Sequence, residues 1–269
     1  MSAPVTPSDP DDETAGYRRF WAGVGRRFPD LAGAATTRYY ARNEERLFTE
    51  HFGPLDGLKL LKTDLWDEAK NTRILVWASE HGARPYGIDI SFPTILQARG
   101  AFPPGRLGCV AGDVRAIPSR DGCFDAIYSM GTIEHFDETA QAVGEMVRVL
   151  RPGGRAIIGV PNRHDPFLRP LFVTSLQACG LYGYGYEKSY SRKALREMLE
   201  RVGLRVETET AILFIPGWLR MLDLACHTWC RPLSVVTGAL VAPFVWLDRH
   251  VPAVRRHGYL LATVAVKPD

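Results

Sequence analysis

The sequence lacks the features that mark a secreted or a nucleic-acid-binding protein. Its five cysteines are odd in number and scattered along 269 residues, without the paired spacing of a disulfide framework or a zinc ribbon. We therefore expect a reducing, cytoplasmic setting. Charge of one sign is also scarce, because the formal net charge is only +3. So small an excess of basic residues argues against nucleic acid as a partner.

Long apolar segments are missing too. The longest, at residues 233–247, is interrupted by polar residues and by Pro243, and it falls short of the roughly 20 residues that cross a bilayer. Residues 1–15 contain three prolines and an acidic run, but no basic region followed by an apolar one. We expect a disordered tail there and not a secretory signal.

What remains has the composition of an ordinary globular domain. Hydrophobic residues make up 46% and charged residues 23%, which supports a packed core and excludes collagen-like and wholly disordered chains. Apolar residues at helical spacing over 16–56 predict two N-terminal helices, the second with Thr36 or Thr37 as its N-cap. We expect the main domain at residues 57–269.

Within this domain, short apolar runs alternate with segments of helical period. This alternation is typical of a parallel sheet built from βαβ units and predicts a doubly wound α/β fold. The predicted strands are 58–63, 84–89, 107–111, 124–130, 155–160, 204–214 and 258–266. Ser91, Asp137 and Ser191 are expected to cap helices. Two insertions, at about 161–190 and 216–256, interrupt the pattern.

Ligands of open α/β sheets gather at the carboxyl ends of the strands, where two acidic residues stand out. Asp89 ends the second strand beside Ile90, and its carboxylate can accept hydrogen bonds from both hydroxyls of a ribose. Asp113 and Val114 follow the third strand, where a carboxylate and a backbone N–H can read an adenine edge. The alternatives are that Asp89 caps the next helix, for which Ser91 is better placed, and that Asp113 is a turn residue.

Taken together in this order, four motifs resemble the class I S-adenosylmethionine-dependent methyltransferases. They are Gly-Ile-Asp-Ile-Ser at 87–91, Ala-Gly-Asp-Val at 111–114, residues 124–135, and Val-Leu-Arg-Pro-Gly-Gly at 149–154. The similar branch includes the ubiquinone- and menaquinone-type small-molecule enzymes. The resemblance implies a Rossmann-like seven-stranded sheet with its last strand antiparallel, S-adenosylmethionine as cofactor, and methyl transfer by in-line displacement.

The sequence departs from this family after the first strand, where a glycine-rich loop is usual. Here Lys62, Thr63 and Asp64 are followed by a segment without glycine. Asp64 is a candidate for the cofactor's ammonium group, and Lys62 or Thr63 for its carboxylate; alternatively, Asp64 starts a helix. The departure also favours a rival interpretation, a catalytically silent domain that binds an adenosyl ligand or a partner. A nicotinamide dehydrogenase is a weaker third choice, since it too needs the glycine loop.

Candidates for catalysis follow the fourth strand. His135 can take a proton from a hydroxyl near neutral pH, and Glu134 lies beside it. Met130 and Gly131 are expected to line the cofactor. A similar Glu-His pair binds a divalent metal in some O-methyltransferases of the family, but we predict no metal site here. The alternative is that Glu134 and His135 only stabilise the loop before Asp137.

The two insertions are expected to cover the acceptor. Residues 161–190 are rich in aromatic and apolar side chains, which favours a small apolar or amphipathic acceptor, methylated at oxygen or carbon. Residues 216–256 combine tryptophans and leucines with flanking arginines. They are interpreted either as cap helices packed on the sheet or as a peripheral membrane contact that gives access to a lipid or isoprenoid acceptor.

Overall fold

The structure, a computed structural model, describes residues 10–269, with side chains from residue 14 onward. Two helices precede the sheet, α1 (Pro10–Arg27) and α2 (Ala35–His51). Residues 10–15 belong to α1, so this part of the expected tail is helical. The rest of that prediction, for residues 1–9, lies outside the described residues.

Seven strands form one mixed sheet. They are β1 (Lys59–Lys62), β2 (Arg84–Asp89), β3 (Gly108–Ala111), β4 (Phe124–Met130), β5 (Leu150–Pro161), β6 (Arg205–Ile212) and β7 (Leu260–Val266). Their order is β3-β2-β1-β4-β5-β7-β6. Strands β1 to β5 pair in parallel, whereas β7 is antiparallel to both β5 and β6. The predicted α/β fold class, with its antiparallel last strand, is therefore confirmed.

Eight further helices connect and cover the strands. They are α3 (Trp66–Lys70), α4 (Ile74–Glu80), α5 (Phe92–Gly100), α6 (Thr139–Val149), α7 (Arg169–Ala178), α8 (Arg192–Arg201), α9 (Gly217–Trp229) and α10 (Arg231–His250). Strand side chains alternate between two buried cores, as a period of two requires. Leu60 packs into the core shared with α2 and α4, and Leu61 into the one shared with α6 and α8.

Helix α2 begins two or three residues earlier than predicted and takes its N-terminal cap from elsewhere in the chain. Ala34 occupies the N-cap position and makes no side-chain cap bond. Instead Asp223 on α9 accepts hydrogen bonds from the Thr36 backbone N–H (2.8 Å) and from the Thr36 hydroxyl (2.7 Å). The expectation that Thr36 or Thr37 caps this helix is wrong, because the carboxylate of Asp223 binds the free N–H instead. The same bonds tie the second insertion to α2.

Strands β1, β3, β6 and β7 are shorter than predicted, and β5 and the cap of α6 also differ from the prediction. Strand β5 starts at Leu150, which pairs with Phe124 of β4. A register shift then accommodates the Pro-Gly-Gly turn of β5, and pairing with β4 resumes at Arg155. Gly153 makes this possible with φ +68°, which favours glycine. Asp137 does not cap α6 with its side chain; it forms an ion pair with Lys188. The caps by Ser91 and Ser191 are confirmed.

The insertions form a helical layer over one end of the sheet. The first contains α7, and the second consists of α9, α10 and a short 3₁₀ turn at Pro252–Arg256. Among residues 10–269 no helix is both long and apolar enough to cross a membrane. All five cysteines are free thiols.

Candidate active site

An open cavity lies at the carboxyl ends of β1, β2, β3 and β4, beneath the insertions. Its free space is about 1400 Å³, counted out to its mouth. Parallel strands bring the residues that follow them to one edge of the sheet, so residues far apart in sequence meet here. Ten of the predicted site residues line it: Thr63, Asp64, Asp89, Ile90, Asp113, Val114, Met130, Gly131, Glu134 and His135.

Lys62 is the predicted site residue that does not line the cavity. Its side chain is fully buried, and its Nζ lies 2.8 Å from Asp64 Oδ1, 3.0 Å from Asp67 Oδ2 and 3.4 Å from Glu68 Oε2. Burial alone would lower the pKa of this ammonium group, but the three carboxylates raise it well above its ordinary value. Lys62 therefore neutralises carboxylates behind the cavity wall, which corrects the prediction that it donates to a ligand.

Glu44 is a further carboxyl group of this buried cluster, which also contains Glu68. Glu44 accepts a hydrogen bond from the Tyr128 hydroxyl (2.7 Å), and Glu68 accepts one from the Leu75 backbone N–H (2.9 Å). Burial raises the pKa of Glu68 to about 7 and that of Glu44 well above its usual range. Burial thus favours the uncharged form of both groups, which brings the charge of the cluster closer to balance with Lys62. The cluster occupies the segment where the similar family has its glycine-rich loop.

Asp64 lies between this cluster and the cavity. Its Oδ1 accepts hydrogen bonds from Lys62 Nζ (2.8 Å) and from the Trp66 backbone N–H (3.2 Å), and its Oδ2 accepts one from the Thr132 hydroxyl (3.1 Å). Thr63 donates its hydroxyl to Ser129 Oγ (2.8 Å). Asp64 is thus held in place from behind while one edge of its carboxylate faces the cavity.

Asp89 is fixed by backbone hydrogen bonds at the end of β2. Its Oδ2 accepts from the Leu65 N–H (2.8 Å) and its Oδ1 from the Ser91 N–H (2.7 Å). Burial raises the pKa of Asp89 to about 7, although both N–H groups favour the charged form. Since each carboxylate oxygen has a second lone pair, both can still accept a hydroxyl from the cavity.

Asp113 carries a partner that the sequence analysis missed. Arg115 donates to it from Nε (3.0 Å to Oδ1) and Nη2 (2.7 Å to Oδ2), and the Arg115 backbone N–H also donates to Oδ1 (2.8 Å). Arg115 further pairs with Glu138 and lies over the rings of Tyr17 and Phe136. An adenine amino group would therefore share the Asp113 carboxylate with Arg115. The sequence signal that could have revealed this ion pair was the spacing of two residues between Asp113 and Arg115.

The turn after β4 brings the next candidates to the cavity wall. Gly131 adopts φ +77°, a backbone conformation that favours glycine and turns the chain toward the cavity. Met130 packs against Gly159 of β5, where a Cβ atom would lie only 2.0 Å from the Met130 sulfur. This tight contact keeps Met130 in the wall and sets the position of the residues that follow.

Glu134 and His135 lie next to each other on a 3₁₀ turn, yet their environments differ. Glu134 is buried, and its Oε2 has no hydrogen-bond partner. Burial raises the pKa of Glu134 well above its ordinary range, and the nearby Glu187 adds to the shift. His135 Nδ1 lies 2.7 Å from the Tyr186 carbonyl oxygen, which requires Nδ1 to carry a proton. Burial lowers the pKa of His135, so its Nε2 is an unprotonated acceptor at neutral pH.

The first insertion adds a buried ion pair to this end of the cavity. Arg169 Nη1 lies 2.6 Å from Glu187 Oε1, and both side chains are almost fully buried. The Tyr182 hydroxyl also donates to Glu187. Burial alone would raise the pKa of Glu187, but Arg169 brings it below the ordinary value. Sequence reasoning missed this pair, because an irregular connection gives no periodic signal that joins residues 18 positions apart.

The residues around the cavity fit an adenosyl amino acid. Asp89 has free lone pairs for two hydroxyls, Asp64 offers a carboxylate edge for an ammonium group, and Glu134 Oε2 is a buried polar atom that lacks a partner. By contrast, the part of the chain that the structure describes contains no group of metal-ligating side chains that could hold an ion.

Comparison with known proteins identifies the type of domain. Residues 70–158 match the family described as a methyltransferase domain. A protein of Mycolicibacterium smegmatis, named as a probable S-adenosylmethionine-dependent methyltransferase, is 31% identical over 146 residues, which cover 52% of this chain and 50% of that protein. The 2-methyl-6-phytyl-1,4-hydroquinone methyltransferase of Synechocystis is 28% identical over 181 residues, covering 66% of this chain and 53% of that protein. The chain thus spans about half the length of these two relatives.

A solved structure extends the similarity to the whole fold. The 1,6-didemethyltoxoflavin-N1-methyltransferase of Burkholderia thailandensis, with bound 1,6-didemethyltoxoflavin and S-adenosylhomocysteine, superposes with a TM-score of 0.59. The match covers 100% of this chain and 94% of that one at 15% identity, a level that supports a shared fold alone. The family match over residues 70–158, the named relatives and the sheet order all agree with the resemblance to class I S-adenosylmethionine-dependent methyltransferases that the motifs predicted.

Proposed function

We propose that this protein transfers a methyl group from S-adenosylmethionine to oxygen or carbon of a small apolar or amphipathic acceptor. The observation that carries this proposal is the meeting, in one cavity, of Asp64, Asp89 and Asp113 from the ends of three strands with Glu134 and His135 from a fourth. The first three suit the ammonium, ribose and adenine of the cofactor. The last two lie where an acceptor can enter from the insertions.

The side chains of the cavity suit proton removal from an acceptor hydroxyl. Bound S-adenosylmethionine supplies an electrophilic methyl group, so the protein has to position the acceptor, exclude water and receive a proton. In this proposal His135 receives the proton at Nε2, while the carbonyl of Tyr186 holds the ring from Nδ1. Glu134 hydrogen-bonds the acceptor through its unpartnered Oε2, and burial raises its pKa, which favours the protonated, donating form.

The walls of the cavity favour an apolar acceptor. Rings and aliphatic side chains from α1, from the turn after β4 and from the insertions line it: Tyr17, Trp21, Phe136, Phe172, Val173, Tyr184, Met221 and Leu224. A pocket of this kind gains affinity from buried apolar area and orients its ligand with few polar groups. A phytyl-substituted hydroquinone, which the name of the Synechocystis relative gives as its acceptor, combines these two properties. We therefore favour a lipid or isoprenoid with a hydroxyl-bearing ring.

Peripheral membrane contact through residues 216–256 is part of the same proposal. The outer face of α10 is apolar: Leu233, Val236 and Leu240 are half exposed at helical spacing, and Val235 is 75% exposed. Trp229, at the end of α9, is 81% exposed. Buried polar groups such as Asp223 and Asp248 face inward instead, toward α2. An apolar face beside the cavity, with Arg231 and Arg249 at the helix ends, suits the interface of an anionic membrane.

Methyl labelling tests the proposed reaction. Purified protein is incubated with deuteromethyl S-adenosylmethionine and a lipid extract of the source cells, and the products are analysed by mass spectrometry. We expect a labelled apolar product that depends on the protein. Binding of S-adenosylhomocysteine without transfer to any extract would favour the catalytically silent domain instead, and absence of binding would refute the assigned cofactor.

Vesicle sedimentation tests the membrane contact separately. The protein should sediment at low salt with vesicles of phosphatidylglycerol and phosphatidylcholine, and the pair of changes Trp229→Ser and Val235→Ser should abolish this. The matched control is Leu96→Ser on α5, which removes a comparably exposed side chain outside the insertion. Failure of the unaltered protein to sediment would contradict the membrane contact and leave the reaction unaffected.

A further inference from the structure

Arg220 differs from the other cations around the cavity because no carboxylate neutralises it. Arg169 pairs with Glu187, and Lys62 lies behind the wall with three carboxylates. Arg115 beside the cavity binds Asp113 and Glu138. Within residues 10–269, Arg220 lines the cavity, its side chain forms no ion pair or hydrogen bond, and its Nη1 is a buried atom without a partner. A buried polar group in this state requires an explanation.

Aromatic rings hold the Arg220 side chain in place. Its guanidinium carbon lies 5.4 Å from the ring centre of Tyr40 on α2 and 5.9 Å from that of Tyr259 at the start of β7. Rings of this kind orient a guanidinium without using its N–H donors. The side chain is therefore prepared to donate two parallel hydrogen bonds to a planar anion.

Charge effects place Arg220 at the β1 end of the cavity. Burial raises the pKa of Tyr40 well above its ordinary value, Glu44 and Asp67 add to the shift, and Arg220 opposes it. The charge of Asp64 also raises the pKa of Tyr40. Arg220 thus shares the neighbour Tyr40 with the carboxylates that follow β1, on the side where the ammonium group of a bound amino acid is proposed to lie.

We propose that Arg220 binds the α-carboxylate of the amino-acid part of the adenosyl cofactor. The proposal rests on the proposed function, since it needs this cofactor in the cavity. A zwitterionic amino acid would then lie between Asp64, which takes the ammonium, and Arg220, which takes the carboxylate. The second insertion supplies a donor that the segment after β1 lacks, because that segment has no glycine and its lysine is buried. In this proposal a cap helix, α9, binds the α-carboxylate of the cofactor in place of the loop after β1.

Calorimetry with two ligands tests this assignment. S-adenosylhomocysteine contains the carboxylate, whereas its decarboxylated analogue, S-adenosyl-3-thiopropylamine, keeps the adenosine, the sulfur and the ammonium group. In Arg220→Gln the dissociation constant of S-adenosylhomocysteine should rise about 10- to 100-fold, as expected for a lost charge-assisted hydrogen bond. Binding of the decarboxylated analogue should change by less than about twofold. The control Arg256→Gln, an exposed residue of the same insertion, should affect neither ligand.

The outcomes separate the possible sources of a carboxylate. If Arg220→Gln binds S-adenosylhomocysteine as well as the unaltered protein does, Arg220 serves an acceptor's carboxylate or no ligand, and the assignment is refuted. Equal weakening of both ligands would mean lost packing against the tyrosines and would refute it too. If Arg220→Gln does not fold, the unaltered protein still decides: equal affinities for the two ligands contradict the proposal, and a preference of tenfold or more supports it. Failure to bind either ligand would refute the proposed function itself.

Discussion

Asp89 offers the clearest link between stability and function in this protein. Substitution Asp89→Asn replaces a carboxyl that titrates with an amide that does not, at almost constant shape. The amide matches the protonated acid in charge, but it keeps a single acceptor oxygen for the two N–H groups of Leu65 and Ser91. This site therefore adds no pH dependence to the free energy of unfolding of the variant, whereas that of the unaltered protein should fall once the pH exceeds 3.8, where the unfolded chain releases the Asp89 proton.

The pKa of Asp89 gives the size of the effect at higher pH. Burial raises this pKa from 3.8 to about 7, so between these values the folded state holds a proton that the unfolded state has released. Stability then falls as pH rises through this window and levels off above it. From pH 5 to pH 8 the loss is about 3 kcal/mol, at about 1.4 kcal/mol per pH unit. The variant escapes this loss, so its free energy of unfolding relative to that of the unaltered protein should rise between pH 5 and pH 8.

Urea unfolding at pH 5, 6, 7 and 8 measures this difference, with the exposed Asp121→Asn as control. Other buried carboxyls, such as Glu68 and Glu134, titrate in both proteins and cancel in the comparison. Calorimetry at pH 8 completes the test, because the variant should bind S-adenosylhomocysteine about 10- to 100-fold more weakly after losing a charged acceptor for the ribose. Parallel stability curves across this pH range would refute the reasoning about burial, and unchanged binding would refute the ribose contact.

Two further predictions follow from Lys62 and His135. Lys62→Met should lower the free energy of unfolding by about 3–5 kcal/mol at pH 7 in urea titrations, because buried carboxylates lose their cation; an equal effect of Lys59→Met, an exposed residue of the same strand, would contradict this. His135→Asn should slow labelled methyl transfer to a hydroxyl acceptor by about 10²- to 10⁴-fold without changing the binding of S-adenosylhomocysteine. The acid limb of kcat/KM should lie below pH 6.5, since burial lowers the pKa of His135, and a retained rate in His135→Asn would exclude it as the base.

The sheet was predictable because its signals are local. Strands β2 and β4 have the predicted bounds, and each ends at a candidate site residue, Asp89 or Met130. Strand β5 was predicted too short, because Pro-Gly-Gly is a turn signal whether or not pairing continues beyond it. The cap of α2 was mispredicted for a different reason, since Asp223 lies 187 positions from Thr36 and no local pattern connects them.

In the candidate site, too, some features follow from local sequence patterns and others depend on contacts between residues that are distant in sequence. Residues at strand ends reach the cavity because topology alone brings them there, and this holds for Asp64, Asp89 and Asp113. The direction of a side chain is harder to predict: Lys62 turns inward because three acidic groups surround it in space. Arg220, from an insertion without a sequence motif, could be recognised only once the partners of every other nearby cation were known.

The most direct test of the whole account is a crystal structure of the complex with S-adenosylhomocysteine. We expect both ribose hydroxyls within about 3 Å of the Asp89 oxygens and the adenine amino group beside Asp113. A ligand bound elsewhere, or a ribose that does not contact Asp89, would contradict the assignment of this cavity as the cofactor site.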